Sequence, residues 1–172
     1  MDAQTEAALK RAIGMLEAIL SRQIELHRRM AEVAEEKRES IIKGDIEKLE
    51  AAVSEERQLI AKIEEEENNR QGVMPLLIGH LGLPRETQKL ADVIAHFPEA
   101  DRERMMAIRN ELREILEAVR LKTRHNAELL KTSMDHVESF LKSLSEATAP
   151  DSNYRKNGKR GGGGPAIIDR NA

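Results

Sequence analysis

The chain has 172 residues, of which 34% are charged and only 2% are aromatic, and its formal net charge is -3. This composition favours helices and lacks the large aromatic side chains that line most ligand pockets, so it argues against an enzyme. The absence of cysteine excludes disulfides and thiolate metal sites. The sequence has neither a signal peptide nor the ~20 consecutive apolar residues of a membrane span, so we expect a cytoplasmic protein without membrane insertion.

Two long helices are predicted at the start of the chain, because apolar residues recur there at steps of three and four. The dipeptide Gly44-Asp45 interrupts the pattern. Glycine supplies a left-handed stop and aspartate a fresh N-cap, so the pair predicts a helical hairpin. We expect the first helix to run from an N-cap at Thr5 to Lys43, and the second from Ile46 to at least Arg70.

Polar residues occupy part of the apolar stripe of the first helix, at Gln23, His27 and Lys37. Such residues lower the stability of a helix–helix seam and can fix its register. Alternatively, the stripe rotates around the helix towards the neighbouring apolar residues, which are Ile24, Leu26 and Val33. The sequence leaves both interpretations open, and we favour the rotation.

A connector, Gly79–Pro84, ends the second helix, and a short helix is predicted over Glu86–Ala95. A third long helix follows over Asp101–Ala147, and its second half carries a stripe that covers an arc of about 140°. This stripe is as consistent with an ordinary core as with a surface for a partner. Its members are Leu129, Leu130, Met134, Val137, Phe140, Leu141 and Leu144.

The predicted fold is therefore all-α: an antiparallel bundle or coiled coil of long helices over residues 1–147. Residues 148–172 form a basic, glycine-rich tail that includes Gly161–Gly164. Its composition predicts a disordered segment, since it has too few apolar side chains to bury. Ile167-Ile168 is the one small apolar segment of this tail.

No catalytic, cofactor-binding or metal-binding residues are predicted. The five histidines lack the spacing of zinc ligands, and no phosphate-binding glycine loop or nucleophile motif occurs. Four consecutive carboxylates, Glu64–Glu67, spread around a helix instead of forming an acid and base pair, so we interpret them as a solvated face.

Several strings resemble the FlgN family of flagellar export chaperones, and the similarity spans nearly the whole chain. They are Ser40–Leu49, Glu56-Arg57, Leu59–Arg70, Asn126–Leu130, Asn153-Tyr154 with Gly158, and Ile167–Arg170. The order and spacing of these strings carry the resemblance, because each is common when taken alone. The run Gly161–Gly164 is unusual for the tail of that family.

The resemblance implies a cytoplasmic, non-enzymatic chaperone without a cofactor. Its partners are the hook-filament junction proteins, also called hook-associated proteins, and the flagellar export gate. The cargo-binding residues implied on the last helix are Leu129, Leu130, Met134, Val137, Phe140, Leu141 and Leu144. In the tail, we expect Tyr154 with Arg155 and Lys156 to contact the gate, because an aromatic ring is an effective anchor.

Two other functions, a structural scaffold and nucleic-acid binding, are alternatives to a chaperone. A helical scaffold or oligomeric coiled coil without an exchangeable client would use its stripes to form a homo-oligomer. Nucleic-acid binding would depend on four charges in the tail of an acidic protein, and four phosphate contacts bind weakly and with strong salt dependence. We therefore expect no nucleic-acid partner. The four residues are Arg155, Lys156, Lys159 and Arg160.

Overall fold

A computed structural model describes residues 3–87 and 89–148 of the chain. These residues form four α-helices and no strand, which confirms the all-α prediction. The helices are α1 (Ala3–Lys43), α2 (Ile46–Leu81), α3 (Leu90–Ile94) and α4 (Glu99–Thr148). The chain divides into two compact units, residues 1–133 and 134–172, and α4 contributes to both. The predicted disordered tail lies outside the described residues, apart from its first residue.

The break between α1 and α2 has the geometry that its dipeptide predicts. Gly44 has a φ of 66°, in the left-handed region that glycine adopts without strain. Asp45 is the N-cap of α2, and its Oδ1 accepts a hydrogen bond of 3.1 Å from the backbone N–H of Lys48. That bond lowers the pKa of Asp45, because it stabilises the carboxylate form. The hairpin is therefore specified locally, by two adjacent residues.

Replacement of Gly44 by alanine should destabilise the protein by about 1 kcal/mol, because the left-handed backbone is strained for any residue with a Cβ atom. Gly14, which lies inside α1, is the matched control. A Cβ atom at either position meets nothing within 4 Å, so the two substitutions differ only in backbone conformation. Gly14→Ala should stabilise the protein by about 0.5–1 kcal/mol. Urea unfolding measures the change in the free energy of unfolding for both variants, and changes of the same sign would contradict the prediction.

Three predicted boundaries need correction. The prediction of Thr5 as an N-cap is wrong, because α1 begins at Ala3 and an N-cap residue must lie outside the helix. The short helix does not start at Glu86, which lies in a turn closed by a 3.0 Å hydrogen bond from Thr87 N to Pro84 O. The connector begins later than predicted, since α2 continues to Leu81 and ends at the left-handed Gly82.

The hairpin helices α1 and α2 pack against each other in antiparallel orientation. Ion pairs tie them together at separate levels, with Arg22 Nε 2.6 Å from Glu66 Oε1 and Lys37 Nζ 2.7 Å from Glu56 Oε2. The second pair is four-fifths buried on both sides. Apolar side chains of both helices are also buried in a small cluster: Met30, Val33, Ala52 and Leu59.

Within the first unit, α4 lies beside α1 and runs parallel to it. Arg104 Nη2 is 3.0 Å from Glu17 Oε2, and Lys122 Nζ is 3.1 Å from Glu35 Oε2, so a residue of α4 pairs with one about 87 positions earlier. This offset places the end of α1 level with about residue 130 of α4.

The main core of the first unit joins all four helices. Its most deeply buried large side chains come from α1, α2, α3 and α4, and they are Ile13, Leu16, Leu20, Leu77, Val93, Ile94 and Met105. Removing such side chains from water supplies most of the stability of a helical bundle.

The polar residues in the apolar stripe of α1 lie where α1 packs against its neighbouring helices. Ile24 and Val33 are buried, as the rotation of the stripe predicts, but Gln23 and His27 are buried as well. The rotation therefore describes only part of the seam. These polar groups have partners: Gln23 Nε2 donates to Glu67 Oε2 at 3.4 Å, and His27 Nδ1 lies 2.7 Å from the Gln23 carbonyl oxygen. The His27 contact stays within α1, whereas the bond from Gln23 to Glu67 links α1 to α2 and favours one register of the two helices.

Candidate functional site

The last part of α4 presents an unusual number of large apolar side chains to solvent. We call the members in the second unit the apolar stripe: Met134 (64% exposed), Val137 (59%), Phe140 (64%), Leu141 (58%) and Leu144 (44%). Steps of three and four residues place them on one face of the helix. Every side chain described from 134 to 146 is exposed. The core interpretation of this stripe is therefore wrong for the single chain.

The other two members of the predicted cargo-binding set lie in the first unit, and they differ from each other. Leu130 is 38% exposed, whereas Leu129 is half-buried. Both follow Asn126, whose side chain is the last buried one along the described part of α4. Asn126 Nδ2 donates a hydrogen bond of 2.6 Å to the Ala34 carbonyl oxygen of α1. Burial along α4 therefore decreases within a few residues after Asn126.

The opposite face of the same segment is polar and carries charged side chains, among them Asp135, Lys142 and Glu146, beside serine hydroxyl groups. Ser139 Oγ donates to the Asp135 carbonyl oxygen at 2.8 Å, and Ser143 Oγ donates to the Ser139 carbonyl oxygen at 3.0 Å. These bonds stay within the helix, where hydroxyl groups bond to the preceding turn. The segment is thus amphipathic, with an apolar face and a polar face.

Other surface features of the described residues do not resemble a catalytic or metal site. An open groove of about 370 Å³ at the hairpin end is lined mainly by charged side chains of α1 and α2, among them Glu36, Lys43, Lys48 and Glu55. No group of histidine, aspartate or glutamate side chains in residues 3–87 and 89–148 is placed to hold a metal ion.

The carboxylate run Glu64–Glu67 divides into exposed and paired residues. Glu64 and Glu65 are exposed, as a solvated face requires, but Glu66 and Glu67 are half-buried in ion pairs. Arg70 donates to both carboxylate oxygens of Glu67, at 2.6 and 2.8 Å, and these hydrogen bonds lower the pKa of Glu67 to about 2. The run therefore helps to hold the helices together.

The lowered pKa of Glu67 predicts a specific dependence of stability on pH. A carboxyl group with a depressed folded-state pKa stabilises the protein above its ordinary pKa of 4.5, and the contribution is lost as pH falls towards about 2. Glu67→Gln should therefore lower the free energy of unfolding at neutral pH by at most about 1 kcal/mol, since the pair is partly exposed, and the deficit should shrink in acid. Urea unfolding at about pH 6 and about pH 3 tests this, with the exposed Glu64→Gln as control. A deficit that is independent of pH would contradict the prediction.

The family of the protein follows from a comparison with protein-family models. The model described as FlgN protein matches residues 12–161, which is well over half of the chain. The chain belongs to the FlgN family. FlgN proteins are chaperones of flagellar export, so the resemblance predicted from the sequence is confirmed at the level of the family. Neither the search of curated proteins nor that of solved structures found a match.

The FlgN match extends through α2, α3 and α4 and includes the apolar stripe. None of the helices that the structure describes is long and apolar enough to cross a membrane. The predicted gate-contact residues Tyr154, Arg155 and Lys156 lie outside the described residues. Sequence reasoning did not anticipate the contact of Asn126 with α1, although an asparagine within an apolar heptad pattern is a signal for it.

Proposed function

We propose that this FlgN-family protein binds the amphipathic C-terminal segments of hook-filament junction proteins in the cytoplasm. It prevents their premature assembly and delivers them to the export gate. One observation supports the proposal most strongly: five large apolar side chains on one face of α4 are 44–64% exposed in the single chain. Exposed apolar surface of this extent is typical of an interaction site.

The physical basis of binding is the burial of apolar area on both partners. An amphipathic segment of a client adds its own apolar face to the stripe, as helices do when they bind in grooves or pair with each other. Each contact must outweigh the conformational entropy that the client loses on folding. A segment that remains unfolded until assembly is therefore bound tightly only where several large side chains are available together.

The residues proposed for cargo binding are those predicted from the sequence: Leu129, Leu130, Met134, Val137, Phe140, Leu141 and Leu144. The five that form the apolar stripe are proposed as the main contacts because they are the most exposed. Met134 suits a surface that must adapt to more than one client, since its thioether chain has three rotatable bonds. Phe140 offers the largest ring and is as exposed as Met134.

Isothermal titration tests the proposal with a synthetic C-terminal segment of a junction protein as the ligand. A chaperone should bind the segment with a defined stoichiometry and with a negative heat-capacity change, the mark of buried apolar surface. Sedimentation of the free protein gives the contrasting result. A stable symmetric oligomer that does not bind the segment would support the scaffold function instead.

For gate delivery we propose Tyr154, with Arg155 and Lys156, as the contact with the export gate. Tyr154 is the only tyrosine in the chain, and a tyrosine contributes a large contact area with few rotors to immobilise. Tyr154→Ala should weaken binding to the gate by about 10-fold or more and leave binding of the client segment unchanged. Tyr154→Phe, which keeps the ring, is the control. An equal loss of both activities in Tyr154→Ala would contradict this role.

A further inference from the structure

The apolar stripe lies close to the end of α4, and the sequence that follows α4 carries one small apolar segment, Ile167-Ile168. The stripe exposes five large apolar side chains, and Ile167 and Ile168 are the only large aliphatic side chains in residues 149–172. We infer that Ile167-Ile168 docks intramolecularly on the apolar stripe and covers part of it until a client displaces the tail. The inference deepens the proposed function, on which its regulatory meaning rests.

The length of the intervening chain is suited to this contact. Residues 149–166 separate α4 from Ile167 and include the run Gly161–Gly164, and a glycine-rich coil of 18 residues has an average span of about 21–25 Å. Along the helix, the distance from Thr148 back to Met134 is about 21 Å at 1.5 Å per residue. The two isoleucines can therefore reach every member of the stripe. Tethering is most effective when the average span of the linker matches the distance between the two sites.

The alternative occupant, a second copy of the stripe, is less favoured on two grounds. A tether of this length gives an effective concentration in the millimolar range, whereas a second molecule is present at its own, lower concentration. In addition, five partly exposed side chains offer on the order of 500 Å², below the ~800 Å² per partner that a stable interface buries. The tail can dock with less area because association within one chain does not lose translational freedom.

Docking by two side chains must be weak, and this weakness is what makes it displaceable. A client segment that covers the whole stripe competes with two isoleucines that cover part of it. The apparent affinity for the client is reduced by the fraction of molecules in which the stripe is free. Removal of the two isoleucines should therefore tighten client binding by about 2- to 10-fold.

The test uses the full chain and its lack of cysteine. A nitroxide spin label attached to Asn171→Cys reports proximity by broadening amide NMR signals. We expect broadening over residues 134–144 in the labelled chain, and its loss when Ile167→Ser and Ile168→Ser are introduced at constant tether length. Signals from the same residues that stay sharp, or broadening confined to α1 and α2, would overturn the inference.

A mixture of labelled protein with unlabelled, isotope-enriched protein separates docking within one chain from association between copies. Broadening that persists in this mixture would assign the contact to a second copy and would also overturn the inference. Client binding is measured separately by isothermal titration. If the client binds but the label on the tail broadens no signals of the stripe, the proposed function stands and the docking is rejected. If the label broadens those signals but the client does not bind, only the proposed function is rejected.

Discussion

Phe140→Asp should weaken binding of a junction-protein segment by at least about 30-fold and leave the fold unchanged. The side chain is 64% exposed and lies within the apolar stripe, so its loss removes no core contact. In the complex, the new carboxylate would be buried without a partner, and burying an unpaired charge is costly. Isothermal titration measures the binding, and circular dichroism the helix content.

The neighbouring residue supplies a matched control for this substitution. Ser139 is exposed and lies on the polar face, where its hydroxyl donates a hydrogen bond to the carbonyl oxygen of Asp135. Ser139→Asp introduces the same charge one residue earlier, and we expect it to change client binding by less than about threefold. If both variants lost binding equally, the effect would be a general consequence of charge, and the stripe would not be the contact surface.

Leu20→Ala should lower the free energy of unfolding by about 2–5 kcal/mol, the usual cost of deleting a leucine side chain from a packed core. Leu20 is fully buried in the main core of the first unit. The substitution removes apolar contacts and leaves a cavity that the surrounding helices fill only in part. Urea unfolding followed by circular dichroism measures the loss.

Leu141→Ala is the control for Leu20→Ala, because it removes the same atoms from a side chain that is 58% exposed. We expect it to change the stability by no more than about 0.5 kcal/mol while weakening client binding. At low temperature, where Leu20→Ala remains folded, that variant should bind the client normally. A crossed result, with stability lost in Leu141→Ala and binding lost in Leu20→Ala, would reverse the roles assigned to the two regions.

Those features of the fold that depend on local signals could be predicted from the sequence. The stop at Gly44 and the cap at Asp45 act through their own backbone conformation and hydrogen bonds, so the hairpin turn was predicted correctly. The N-cap proposed at Thr5 was wrong, because α1 begins two residues earlier, and sequence patterns locate helix ends only to within one or two residues. The short helix was predicted too long, since the turn at Glu86 is closed by a bond that no periodicity reveals.

Features that depend on distant parts of the chain were harder to predict. The burial of Gln23 requires a partner on α2, Glu67, which lies 44 residues further along the chain. Likewise, Asn126 donates to Ala34 over a separation of 92 residues. The periodicity of the last helix shows the apolar stripe as a pattern, whereas the exposure of its members is seen only in the structure. Periodicity shows that a face is apolar and does not show what covers it.

The exposure of every described side chain from 134 to 146 also bears on how this protein can change over generations. An exposed position tolerates most replacements, because a change there leaves no cavity in the core. Only the apolar character of the stripe is then constrained, and many combinations of leucine, methionine, valine and phenylalanine satisfy it. If the stripe binds clients as proposed, substitutions within it change which clients are accepted without removing any side chain from the main core.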